Sequence, residues 1–178
     1  MTDVVLTLIG PDRPGLVEAV AAIIRNHGGN WLESRMARLG GKFAGILRAE
    51  LPGDRAPAAL RSLADLEARG LKVIAETIAE AAAPEPSRAQ DGARMELQVV
   101  GVDRPGIVRE IFQLLAAAGV NVEELATDRR SAPMSGEMLF EARAVVRVPE
   151  SADRVALRAA LERAARDLAV DAQLQEDR

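Results

Sequence analysis

The chain has 178 residues, 48% of them hydrophobic and 28% charged, which is the composition of a soluble folded protein and sits far from the signature of disorder. Its formal charge of −4 and pI near 5.2 argue against a chain that grips nucleic acid by itself, because neutralising phosphates needs a basic face. No cysteine is present, which excludes disulfides, Cys-ligated zinc and thiol nucleophiles.

In chain order, the first predicted element is a strand over Val4 to Ile9, a short β-branched run that stops at Gly10. A helix follows, with Pro14 in its first turn and Leu16, Val17, Val20, Ile23 and Ile24 at helical spacing until Gly28 and Gly29 end it. A strand from Asn30 to Leu39, a turn at Gly40-Gly41 and a returning strand from Phe43 to Leu51 come next. An Ala/Leu-rich stretch from Ala58 to Arg69 predicts a second helix ending at Gly70, and Leu71 to Ile78 a last strand. Residues 81–93, with Pro84, Pro86 and no apolar periodicity, read as a linker between residues 1–80 and 94–178.

The same order then recurs, because the chain repeats itself. Gly10-Pro11-Asp12-Arg13-Pro14-Gly15-Leu16-Val17 reappears 91 residues later as Gly101-Val102-Asp103-Arg104-Pro105-Gly106-Ile107-Val108. The offset also aligns Gly28 with Gly119, Asn30 with Asn121 and Glu33 with Glu124. The second copy predicts a strand from Leu97 to Val102, a helix on Ile107, Ile111, Leu114 and Leu115, and strands over Asn121 to Arg130 and Glu137 to Val148. A helix from Ala152 to Leu168 and a strand from Val170 to Gln175 complete it; Ser131 to Gly136 is a longer turn than Gly40-Gly41. Two βαββαβ units of the α+β, ferredoxin-like plan are expected, each a four-stranded antiparallel sheet with both helices on one face. The other face of such a sheet needs a cover, from within the chain or from a second one.

Asp-Arg-Pro-Gly at a strand-to-helix junction admits two readings. Unpaired amides and the positive end of the helix dipole would hold a carboxylate there, Asp12 would take an ammonium, and Gly15 would let a small ligand approach the backbone, which together suits a free amino acid. Equally, Asp12 would cap the helix, Pro14 would start it and Gly15 would be a packing residue, with no ligand. Other residues admit plain roles beside functional ones: His27 near a helix C-terminus, Trp31 in core or interface or as the wall of a ligand pocket, and Arg35 and Arg38 on a solvated strand edge, with Arg35 able to reach a ligand carboxylate or a partner's acidic residue. The acidic Glu123, Glu124 and Asp128 lack the companions that a metal site needs. No Ser–His–Asp constellation exists, so no catalytic residue, cofactor or metal is expected. No window reaches the 18 apolar residues of a membrane span, and a cytoplasmic location is expected.

The two units, with Gly-x-Asp-Arg-Pro-Gly-[Leu/Ile]-Val in the first loop and Gly-x-Asn before the second strand, resemble the ACT domain, a regulatory module that senses small molecules. The pairing of two units, the length and the stretch Glu33 to Gly40 are similar to the family of glycine cleavage system transcriptional repressors. That resemblance implies a non-enzymatic regulator that binds an amino acid, with glycine or serine favoured, and acts as an anti-activator on a protein partner such as a transcription activator rather than on DNA or a membrane. It implies ligand contacts from Asp12, Arg13, Gly15, Leu16 and Asn30, and from Asp103, Arg104, Gly106, Ile107 and Asn121, and it implies a homodimer. The alternatives are a stand-alone ACT dimerisation or interaction module, and a regulatory unit related to the N-terminal ACT domain of formyltetrahydrofolate deformylase. Ala118 in place of His27, and the absence of a second Trp31, make the two loops unequal.

Overall fold

The computed structural model describes residues 1–78, 91–132 and 136–176. The chain forms two compact units, Met1–Glu85 and Pro86–Arg178. The expected linker over 81–93 lies outside the described residues as far as residue 90, and so do residues 133–135 of the expected Ser131 to Gly136 turn.

The first unit runs β1 (Thr2–Pro11), α1 (Leu16–Asn26), β2 (Asn30–Leu39), β3 (Lys42–Leu51), α2 (Ala56–Ala64), a 3-10 turn (Asp65–Arg69) and β4 (Lys72–Ile78). The second runs β5 (Ala93–Val102), α3 (Ile107–Ala117), β6 (Asn121–Ser131), β7 (Met138–Val148), α4 (Arg154–Leu168) and β8 (Val170–Glu176). Both sheets are antiparallel with the same order, β2-β3-β1-β4 and β6-β7-β5-β8. Each is the four-stranded ferredoxin-like sheet that the element order predicts.

Alternation decides which face is covered. Val4, Leu6 and Leu8 are buried and meet Val20 and Ile24 of α1 and Ala59 and Leu63 of α2 in one core, so both helices lie on the same side of the sheet. Full burial of a side chain such as Leu6 stabilises the unit by about 1.5–3 kcal/mol. Leu97, Val99, Ile111, Leu115, Leu157 and Leu161 repeat the arrangement in the second unit. Even a register irregularity is duplicated, between Trp31 and Glu33 in β2 and between Val122 and Glu124 in β6.

Two local expectations are corrected. Pro14 does not sit in the first helical turn, because Gly15 at φ 87° stands between it and α1 and serves as the N-cap. The predicted helix from Ala58 to Arg69 begins two residues earlier, at Ala56, and tightens at Asp65 into a 3-10 turn, which brings the chain to the left-handed Gly70 and back into β4. His27 caps α1 and lies 3.3 Å from the Ser62 hydroxyl through Nε2, linking the two helices. Trp31 packs half-buried against the first core. Among the described residues no helix is long and apolar enough to cross a membrane.

Candidate ligand-binding loops

The junction of β1 and α1 is built by three constraints. The Asp12 amide donates to the Gly41 carbonyl at 3.0 Å, which ties the loop to the β2–β3 turn. Gly15 adopts a left-handed conformation that a Cβ would strain, and its carbonyl accepts from the Ala19 amide at 3.0 Å as the first helical bond. The amides of the first turn of α1 are left without intrahelical partners, at the positive end of the helix.

Asp12 does not cap this helix: α1 has no side-chain cap, and the Asp12 carboxylate instead accepts from Arg38 Nη1 at 3.1 Å. The second unit reproduces each element. The Asp103 amide donates to the Met138 carbonyl at 2.8 Å, Gly106 has φ 101° and accepts from Glu110, and Asp103 pairs with Arg129 at 2.6 Å. From the sequence alone Arg38 is a strand-edge residue and Arg129 has no assigned role. The signal was present, since Arg38 and Arg129 are separated by the same 91 residues as the two aspartates.

The loops differ in the room they leave. Nothing lies within 4 Å of where a Cβ on Gly15 would project, whereas one on Gly106 would meet the Glu110 carboxylate at 3.4 Å. Over the first loop opens a depression of about 840 Å³ whose lining includes Asp12, Gly15, Val17, Glu18, Arg38 and Phe43. Its charged groups are of both signs, as a zwitterion would require.

The structure therefore brings Asp12, Arg13, Gly15 and Leu16 to one loop, and Asp103, Arg104, Gly106 and Ile107 to the other. It does not bring Asn30 or Asn121 to them. Asn30 is paired with Glu50 and Arg38 with Phe43, seven β3 residues apart, so Asn30 stands about 23 Å away at the opposite end of the sheet. Asn121, paired with Arg147, is displaced in the same way. Leu16 and Ile107 turn their side chains into the cores, at 9% and 2% exposure, so what they offer a ligand at the loop is mainly main chain. The Arg13 guanidinium lies beside Gly70, where a Cβ would meet it at 3.3 Å. The acidic Glu123 is committed to Arg147 at 2.6 Å and Arg94 at 3.2 Å.

Family models for the ACT domain match residues 2–77 and 95–166, one for each unit. No curated protein matches the chain. Among solved structures, an unknown protein from Galdieria sulphuraria is 29% identical over 99% of both chains, with a TM-score of 0.84. A "putative glycine cleavage system transcriptional repressor" is 18% identical over 99% of this chain and 98% of its own, with a TM-score of 0.69. At that identity the second likeness speaks to the shared two-unit fold. With one model on each βαββαβ unit and no large part of the chain left over, the protein belongs to the ACT-domain family and carries two ACT domains in tandem.

Proposed function

We propose that the protein is an amino-acid-responsive regulator whose ligand sits on the β1–α1 loop, and on its β5–α3 counterpart, and that it works as an anti-activator through a protein partner such as a transcription activator. One observation carries this reading: the same loop is built twice with helix-start amides, a left-handed glycine and an aspartate held by an arginine rather than used as a cap. The amides suit a carboxylate, Asp12 an ammonium, and the open space over Gly15 a small side chain, so glycine or serine is the favoured ligand. The net charge of −4 favours a protein partner over DNA. Asn30 and Asn121 enter this reading only from the second chain of the homodimer we propose, since within one unit they are remote from the loop.

Isothermal calorimetry with glycine, serine and a panel of other amino acids tests the proposal. Saturable heat is expected, and its loss in the Asp12→Ala, Asp103→Ala double variant. Absence of heat with every amino acid, together with an unchanged melting temperature, would overturn it.

A further inference from the structure

The two units differ on the sheet face that the helices leave bare. In the first unit this face carries the residues alternating with the core: Asp3, Val5, Thr7 and Ile9 on β1, with their cross-strand partners. Thr7 lies between Ile46 on β3 and Ile74 on β4, which are 53% and 49% exposed, and Ile9 beside them is 46% exposed. A hollow of about 260 Å³ opens next to Ile46. In the second unit the positions matching Val5, Thr7, Ile46 and Ile74 are polar, while Ile9 is matched by Val100. Gln98 replaces Thr7 and lies between Arg143 and Gln173, while Glu96 stands where the first unit has Val5. The second unit makes the same sheet with these residues, so the fold does not require Ile46 or Ile74 to be apolar. Water-exposed isoleucines that folding does not need point to association.

Charge on this face is divided along the strands. At the end where β1 begins lie Asp3, Glu33, Glu50 and Glu76 against one cation, Arg48, for a formal −3. Arg48 is held there by Asp3 at 2.5 Å and Glu33 at 3.5 Å, and its hydrogen bond to Asp3 raises its pKa above the ordinary arginine value. Toward the other end lie Lys42 and Lys72, a formal +2, while Arg35 lies level with Ile46 between the two ends. The row through Arg35, Ile46, Thr7 and Ile74 separates the two halves. Glu76 and Lys72 on β4 are equidistant from it, as are Glu50 and Lys42 on β3.

We infer that the bare sheet face of the first unit is the contact surface for a second copy of this chain, packed face to face with strands running in opposite directions. A two-fold axis lying in the contact plane along the Thr7 row sets Ile46 on Ile46 and Ile74 on Ile74, Glu76 over Lys72 and Glu50 over Lys42 of the other copy, at the cost of bringing the exposed Arg35 of β2 toward its own copy at the sheet edge. The alternative two-fold, parallel to the strands, sets Glu76 over Glu33 and Glu50 over Asp3 and is disfavoured. Four strands spaced about 4.8 Å apart and eight residues at about 3.3 Å give a patch of about 500 Å² per copy. That is small for a permanent interface, and the association is expected in the micromolar range.

Sedimentation velocity of the full chain from about 1 to 200 µM tests the inference, with far-UV circular dichroism confirming that each variant folds. Ile46→Arg and Ile74→Gln copy the second unit, and each is expected to weaken one association step by at least about tenfold. Glu76→Lys and Lys72→Glu alone are expected to weaken it similarly, and the two combined to restore it to within about twofold of the parent. Three results would overturn the inference: no association step across the range, a step insensitive to Ile46→Arg and Ile74→Gln in folded protein, or a combined charge swap no stronger than its single variants.

Discussion

Removing the Asp12 carboxylate separates a structural aspartate from one held ready for a ligand. In Asp12→Ala the loop keeps its main-chain tie, because it is the Asp12 amide that donates to Gly41. What is lost is the ion pair with Arg38, whose side chains are 73% and 34% exposed for the arginine and the aspartate. A pair so open to water contributes about 0.2–1 kcal/mol. For a unit of this size that lowers the melting temperature by at most about 8 °C. The measurement is unusually clean because Trp31 is the only tryptophan and packs against the first core, so its fluorescence follows unfolding of the first unit alone. A double-mutant cycle with Arg38→Ala should give a coupling below about 1 kcal/mol. Amino-acid affinity, in contrast, should fall about 10- to 150-fold, as expected when a charge-assisted hydrogen bond of about 1.5–3 kcal/mol is removed. A stability loss beyond about 2 kcal/mol, or an affinity unchanged in folded protein, would refute the assignment of Asp12 to ligand binding.

Two glycines of the first unit should respond to different degrees. Gly15→Ala places a methyl in open space at φ 87° and should cost about 1 kcal/mol in Trp31-monitored denaturation while obstructing the ligand's approach to the loop, seen as lost heat in calorimetry. Gly29→Ala drives a Cβ to 2.6 Å from both the Glu50 carbonyl and Leu51 Cδ2, so backbone must move; a loss of about 2–4 kcal/mol by the same fluorescence is expected. In the second unit, Asp153 caps α4 by accepting from the Val155 and Ala156 amides at 3.0 and 2.9 Å. Asp153→Ala should lower the stability of that unit by about 1 kcal/mol, read by far-UV circular dichroism, and leave the Trp31 transition in place.

The repeat at 91 residues, read with apolar alternation and helical spacing, was enough to determine the βαββαβ order and the two-unit plan, since both depend on local periodicity and on burying one face of each element. β2 and its turn at Gly40-Gly41 were legible to the residue, because paired glycines stop both strands. Three matters depended on tertiary structure. Whether Asp12 caps α1 turned on where its carboxylate points, and Arg38, 26 residues away, lies within its reach only once β3 pairs with both β1 and β2. Asn30 follows a conspicuous glycine motif, yet strand length carries it about 23 Å from the loop, a separation that spacing along the chain does not express. The split of charge on the bare face of the first sheet arises from four strands distant in sequence, and strand order and register alone bring Glu50 beside Asp3 and Lys72 beside Ile9. Local physics wrote the elements, whereas the site and the contact face exist only where separate elements are placed side by side.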